Sequence, residues 1–219
     1  MKNRNHLIDR TLIVTTIICL VPILFSVAVY QRLPEQVPIH FNAEGQPDNY
    51  ASKAFGAFGM PLLLALLNIF VQLVVKTDPK RDTSSKLYHI ARWTIAILTL
   101  FIVPFSLLIA LGQPFRVEKV VPLAVSVLLL VVGNYLPKIK QNYTIGIKLP
   151  WTLADEENWK KTHRLAGWIW TFFSLLFILV ILLDFYVVWI FFLGIAGMVI
   201  FPLVYSFLLA QRQLTNDTD

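Results

Sequence analysis

The sequence predicts an all-α polytopic membrane helix bundle with about six transmembrane helices, cytoplasmic N- and C-termini, and a short interfacial helix before the fifth span. Three observations predict it. Of the 219 residues, 57% are hydrophobic and only 15% are charged, against roughly 45–50% and 25% in soluble domains. Apolar runs near the length of about 20 residues that a helix needs to cross hydrocarbon recur along the chain. Basic residues gather in alternate connections between those runs, the placement expected of cytoplasmic loops beside a bilayer. A formal net charge of +6 distributed this way argues against nucleic-acid binding, which calls for a patch on one domain.

The first apolar run covers residues 11–31. Its basic flank resembles a signal peptide, but the run is long and lacks a small-residue cleavage site, so it is expected to be a retained helix. The second run covers 55–75 and the third 93–111, with the third helix starting near Ser84 or Ser85. A shorter fourth run, 120–136, stops at Pro137. Residues 165–210 are apolar apart from Asp184, too long for one span and suited to two joined by a tight turn at Asp184-Phe185. Six spans place fifteen of the nineteen basic residues inside and leave only Arg32, Lys53, Arg116 and Lys119 outside, which satisfies the positive-inside rule. Five spans would put the tail outside, which Arg212 alone cannot decide. Two domains are expected: 1–112, with three spans and an outer loop at 32–54, and 113–219, with three spans and an inner loop at 138–164.

No ionisable side chain lies in the middle of a span, where ion-driven transporters usually carry one. Asn68 and Gln72, four apart, suit interhelical hydrogen bonds better than a substrate path. Pro22, Pro61, Pro104, Pro122 and Pro202 are candidate kinks, and Gly194 and Gly197 permit close packing. The single cysteine, Cys19, excludes an intramolecular disulfide. No metal-ligand cluster, activated nucleophile or phosphate-cradling glycine loop is present, so neither catalysis, metal nor cofactor is expected. His163 with Glu156 or Glu157 is the strongest acid–base combination available.

The outer segment from Leu33 to Lys53 is dense in prolines, with Gly45 as a turn former. His40, Asn42, Asp48 and Lys53 are candidates to converge there as hydrogen-bonding groups. The pattern L-P-x-x-V-P-x-H-F-N-x-x-G-x-x-D-x-x-x-S-K resembles a small membrane domain of unknown function that commonly forms the front half of SdpI-type bacterial membrane proteins.

The inner segment from Gly133 to Trp170 carries the sharper pattern. Thr152 is expected to cap a helix after Pro150, with Asp155 as its capping-box partner. Asp155, Glu156 and Glu157 suit a helix N-terminus, and Glu156–Lys160 and Glu157–Lys161 are favourable four-apart pairs. Trp159 and His163 share a face, while Trp151, Trp159, Trp168 and Trp170 suit an interfacial belt. Asn142-Tyr143-Thr144 matches a glycosylation acceptor but falls on the inner side. Asn134, then Gly146, Lys148, Pro150, Trp151, Thr152 and Leu153, then Glu156, Trp159, Thr162, His163 and Arg164 resemble the signature of the SdpI immunity-protein family. An Arg is more usual where Lys148 stands, and Lys keeps the charge without the planar fork.

That resemblance implies a membrane protein of the bacterial cytoplasmic membrane that protects its cell from a secreted killing peptide of the SdpC type. It also implies signalling, in which the toxin-engaged protein holds a cytoplasmic transcriptional repressor at the membrane. His40, Asn42, Gly45, Asp48 and Lys53 would then meet the toxin on the outer face. Asn134, Gly146, Lys148, Pro150, Trp151, Thr152, Glu156, Trp159, Thr162, His163 and Arg164 would form the inner, partner-facing signature. The alternative is a small transporter of a peptide or lipid-like substrate, which requires a polar cavity around Asn68, Gln72 and Asn134.

Overall fold

A computed structural model describes residues 7–185 and 188–216. Among them, six helical segments are long and apolar enough to cross a membrane: Arg10–Arg32, Phe55–Thr77, Lys86–Ala110, Val117–Lys138, Glu156–Leu182 and Trp189–Arg212. The chain is thus a multi-pass membrane protein. It divides into two compact units, Met1–Thr77 with His89–Glu118, and Asp78–Tyr88 with Lys119–Asp219. The short connection after the second span therefore folds with the second half of the chain.

In the first unit, Asp9 caps α1 (Arg10–Leu20) by accepting the Leu12 N–H at 2.9 Å. Pro22 has no N–H to continue the ladder, so α1 gives way there to α2 (Pro22–Val29), and a 3₁₀ turn at Tyr30–Arg32 ends the span. The outer connection is not a loop throughout. Its strands β1 (Gln36–Phe41) and β2 (Pro47–Ser52) pair antiparallel, with irregular register around His40. The hairpin is anchored to the bundle: Val37 is fully buried, and the Ser106 hydroxyl donates to the Pro38 carbonyl. A π-turn at Phe55–Gly59 then leads into α3 (Met60–Thr77). The wide turn sits where Pro61 cannot donate, and the Met60 N–H reaches back to the Phe55 carbonyl instead. α4 (Lys86–Ala110) starts close to the expected Ser84–Ser85 and contains Pro104. Val29, Leu33, Val37, Ala57, Val103 and Leu107 form the apolar core at the hairpin end.

The opposite end of this unit is polar inside. Thr15 accepts hydrogen bonds from Asn68 and Gln72, both at 3.0 Å, and Gln72 also donates to the Arg92 carbonyl. The Arg92 side chain, almost fully buried, donates to Gln72 at 2.6 Å and to both Asp9 carboxylate oxygens at 2.6 and 2.9 Å. Lys76 adds a 3.0 Å ion pair to Asp9. Burial alone would raise the Asp9 carboxyl, but these cations and the Leu12 N–H hold it down at about 2. Asn68 and Gln72 are therefore committed to contacts between α1, α3 and α4.

In the second unit, α5 (Val117–Tyr135) is followed by a 3₁₀ turn at Leu136–Lys138. A loop, the short helix α6 (Pro150–Ala154), α7 (Glu156–Leu182) and α8 (Val188–Asn216) complete it. The expected turn between the last two spans is present at its start. Asp184 adopts a left-handed φ of 62° and the Phe185 N–H bonds the Val180 carbonyl, a helix-closing arrangement open to Asp as well as Gly. α7 and α8 pack tightly because a Cβ at Gly194 would fall 2.3 Å from the Phe177 ring.

Candidate functional site

The inner signature folds as a cap over the start of α7. Pro150 occupies the first position of α6, where its missing N–H is harmless. Thr152 is not the N-cap expected from the sequence. It stands at the third position and reaches back to accept the Leu149 N–H at 2.9 Å. Asp155 likewise belongs to the next helix, accepting the Glu157 and Asn158 N–H groups as the N-cap of α7. The two acids after it do pair as expected, Glu156 with Lys160 at 3.0 Å and Glu157 with Lys161 at 3.1 Å. All four side chains are exposed.

Beneath this rim, Trp159 and His163 are fully buried and stacked, with ring centroids 3.9 Å apart. The geometry fixes one neutral tautomer of His163. Its Nδ1–H donates to the Trp159 carbonyl at 2.8 Å, and Nε2 accepts the Ile147 N–H at 2.9 Å. Gly146 makes that approach attainable: its φ is 117° and a Cβ would lie 2.5 Å from His163 Nε2. Thr162 donates to Asn158, which in turn donates to the Ser206 carbonyl of α8. Four of the signature residues are thus structural ties within one buried cluster.

Three of the four tryptophans make hydrogen bonds inside the unit. Trp159 donates to the Ile139 carbonyl, Trp151 to Ser206 and Trp170 to the Met198 carbonyl, each at 2.9 Å. Burying an indole is favourable when its N–H finds a partner, and here those partners hold the loop and α8. Only Trp168 of this set, 69% exposed, faces outward.

Several residues of the cap escaped the sequence pattern. Asn142 accepts the Thr144 and Ile145 N–H groups and donates to the Lys140 and Ile145 carbonyls. It is 4% exposed and committed to the turn of its own loop. Asp78, also buried, accepts the Tyr143 N–H and the Thr144 hydroxyl, each at 2.8 Å, and so ties the connection after α3 onto the cap. Gln141 bridges Lys80 to the Thr152 and Leu153 carbonyls. Asp82 pairs with Lys140 at 3.4 Å, and the Ser84 hydroxyl and N–H pull its carboxyl below the usual range. The signal was an Asp-rich polar connection, but nothing in its spacing named the partner.

The outward surface of the cap is basic. Lys148 is exposed and donates to the Thr144 carbonyl. Arg164 is exposed, and among the described residues no carboxylate pairs with it. Asn134, at the last turn of α5, is exposed as well, whereas its neighbour Gly133 lies where a Cβ would meet Trp170 at 2.8 Å.

The outer candidates do not converge on one point. His40 Nδ1 meets Asp48 at 2.5 Å on the hairpin surface. Asn42 instead organises the turn, accepting the Glu44 and Gln46 N–H groups. Gly45 has a φ of 77° and no room for a Cβ, which would fall 2.6 Å from the Glu118 nitrogen. Lys53 pairs with Glu35 at 2.7 Å, which raises its ammonium. Among the described residues no group of acidic, His or Cys side chains is placed to hold a metal.

Six membrane-crossing helices, a strand-paired outer connection and a folded basic cap define a polytopic helical membrane protein. Residues 17–65 match the model of a domain of unknown function, DUF1648, and residues 138–206 match that of the SdpI/YfhL protein family. The chain is 31% identical over 156 residues to "Immunity protein SdpI" of Bacillus subtilis (strain 168), covering 71% of this chain and 73% of that one. It belongs to the SdpI family. No solved structure matches it.

Proposed function

We propose that this protein is an immunity and sensor protein of the bacterial cytoplasmic membrane, giving resistance to a secreted killing peptide of the SdpC type. What carries this reading is the likeness to an immunity protein across both halves of the chain. It is supported by a cap whose interior is fixed while its surface keeps charged groups available. Lys148, Lys160, Lys161 and Arg164 then face the cytoplasm, where a transcriptional repressor engages them. The outer hairpin, with His40 and Asp48 exposed along it and the half-buried Lys53 beside it, meets the toxin. Coupling between the faces requires two states of the bundle with different toxin affinity.

Survival tests the proposal. Expressed in a sensitive bacterium challenged with SdpC-type peptide, the chain is expected to protect. Unchanged killing at verified membrane expression would refute immunity toward that peptide. Arg164→Ala separates the roles further: protection retained with repressor recruitment lost places Arg164 in signalling alone.

A further inference from the structure

A cleft of about 650 Å³ opens in the first unit between the ends of the first and third spans. Its walls are Phe25, Val29, Leu33, Leu108 and Leu111, with Arg32 and Gln113 also lining it. The volume lies within the ligand-sized range of about 300–1,000 Å³, and the lining joins apolar side chains to a comparable share of polar surface. Two features say what fits. Phe25, Val29 and Leu108 belong to helices long enough to cross a membrane, while Leu33 and Leu111 lie just past their ends, so the cleft opens where acyl chains meet headgroups. Arg32 is exposed, and among the described residues it has no carboxylate partner. A guanidinium is always charged and offers a fork of donors matched to phosphate.

We infer that this cleft binds one anionic diacyl phospholipid, with an acyl chain between the ends of α2 and α4 and the phosphate held by Arg32. A lipid supplies both halves of the match, and it surrounds this surface in the membrane. The cleft shares Leu33 and Pro34 with the outer pattern but none of the residues assigned there to the toxin, so the lipid test stands apart from the immunity reading.

The full-length protein, purified in a neutral detergent, tests the assignment by thermal unfolding with added lipid. Phosphatidylglycerol is expected to stabilise it at lower concentration than phosphatidylcholine of the same chains, by roughly fivefold, the effect of one basic side chain at an anionic surface. Arg32→Gln is expected to abolish this preference, and Arg32→Lys to keep most of it. Arg116→Gln, which removes an exposed cation outside the cleft, leaves it unchanged. Ala110→Phe narrows the cleft and weakens both lipids. Glycerol phosphate alone gives no shift. Equal stabilisation by the two lipids, or a preference that survives Arg32→Gln, overturns the proposal. So does a loss with Arg116→Gln as large as with Arg32→Gln, since that is diffuse surface attraction. Stabilisation by an acidic apolar peptide with none by phosphatidylglycerol would assign the cleft to peptide instead.

Discussion

Gly146, His163 and Arg164 lie within one short stretch of space or sequence, yet the structure gives them different work. Gly146 is held at a φ of 117° against the His163 ring, a conformation that costs a residue with a Cβ about 1–3 kcal/mol. Gly146→Ala should therefore lower the apparent Tm of the purified protein and loosen the loop 139–149, measurable as faster amide exchange. His163→Ala should do the same, because it strands the Ile147 N–H and opens a cavity beside Trp159. Arg164→Ala should leave the Tm nearly unchanged while altering function, since its side chain is exposed and, among the described residues, makes no hydrogen bond or ion pair. A double His163→Ala, Arg164→Ala variant would mix these effects, so the single variants are the informative ones. Ser174 makes the opposite point. It is fully buried and its hydroxyl is the one buried side-chain polar atom among the described residues without a hydrogen-bond partner. An unpaired buried hydroxyl costs about 1–3 kcal/mol, so Ser174→Ala is expected to raise the Tm; a fall would show that the hydroxyl is bonded in the membrane.

At the scale of elements, the ends of α1, α3 and α4 are joined through Asp9, Lys76 and Arg92. The Arg92 and Lys76 side chains are buried while that of Asp9 is about a third exposed, so removing one partner leaves the other partly solvated and costs less than the ~3–5 kcal/mol of a fully buried pair. Arg92→Met should still be among the most damaging substitutions in the first unit, read as loss of folded protein by size-exclusion profile. The acid side has a pH signature. Asp9 has its pKa lowered to about 2, so its contribution to stability is present above the ordinary carboxylate range and is lost as pH falls towards 2. Asp9→Asn should lower the Tm at pH 7, and the gap from the unaltered protein should close only as the pH falls below about 4. Hydrophobic run length made the six helices legible, since lipid solvates one kind of side chain over a fixed distance. The hairpin was not legible. Prolines at 34, 38 and 47 signal a turn-rich loop, and the residues that fix it, Val37 and Ser106, are separated by two spans. The cap was legible as a helix start and four-apart charge pairs, but Thr152 and Asp155 were given to one helix where two begin. Pro150 and Asp155 each start a helix, held by the local Leu149–Thr152 and Glu157–Asp155 bonds and braced by Gln141 and Ser206.

At the scale of the whole molecule, every functional proposal depends on sidedness, which the placement of charge in the sequence predicts. Fifteen basic residues in the connections expected inside, against four outside, predict an orientation with connection 138–164 in the cytoplasm and connection 32–54 outside. The single native cysteine makes this testable, because Cys19 is buried and gives a quiet background for labelling. In a Cys19→Ala protein, Tyr50→Cys on β2 and Lys148→Cys on the cap both place thiols at exposed positions. A membrane-impermeant maleimide applied to whole cells should label the Tyr50→Cys thiol at once and the Lys148→Cys thiol only after permeabilisation. The same experiment decides where each partner can act. A thiol at 148 reached from outside would invert the bundle, turn the basic cap towards the toxin, and leave the hairpin to face the cytoplasmic partner. Labelling only after permeabilisation restricts the repressor to the cap, and leaves the hairpin and the Arg32 cleft as the surfaces a secreted peptide or an outer-leaflet lipid meets first.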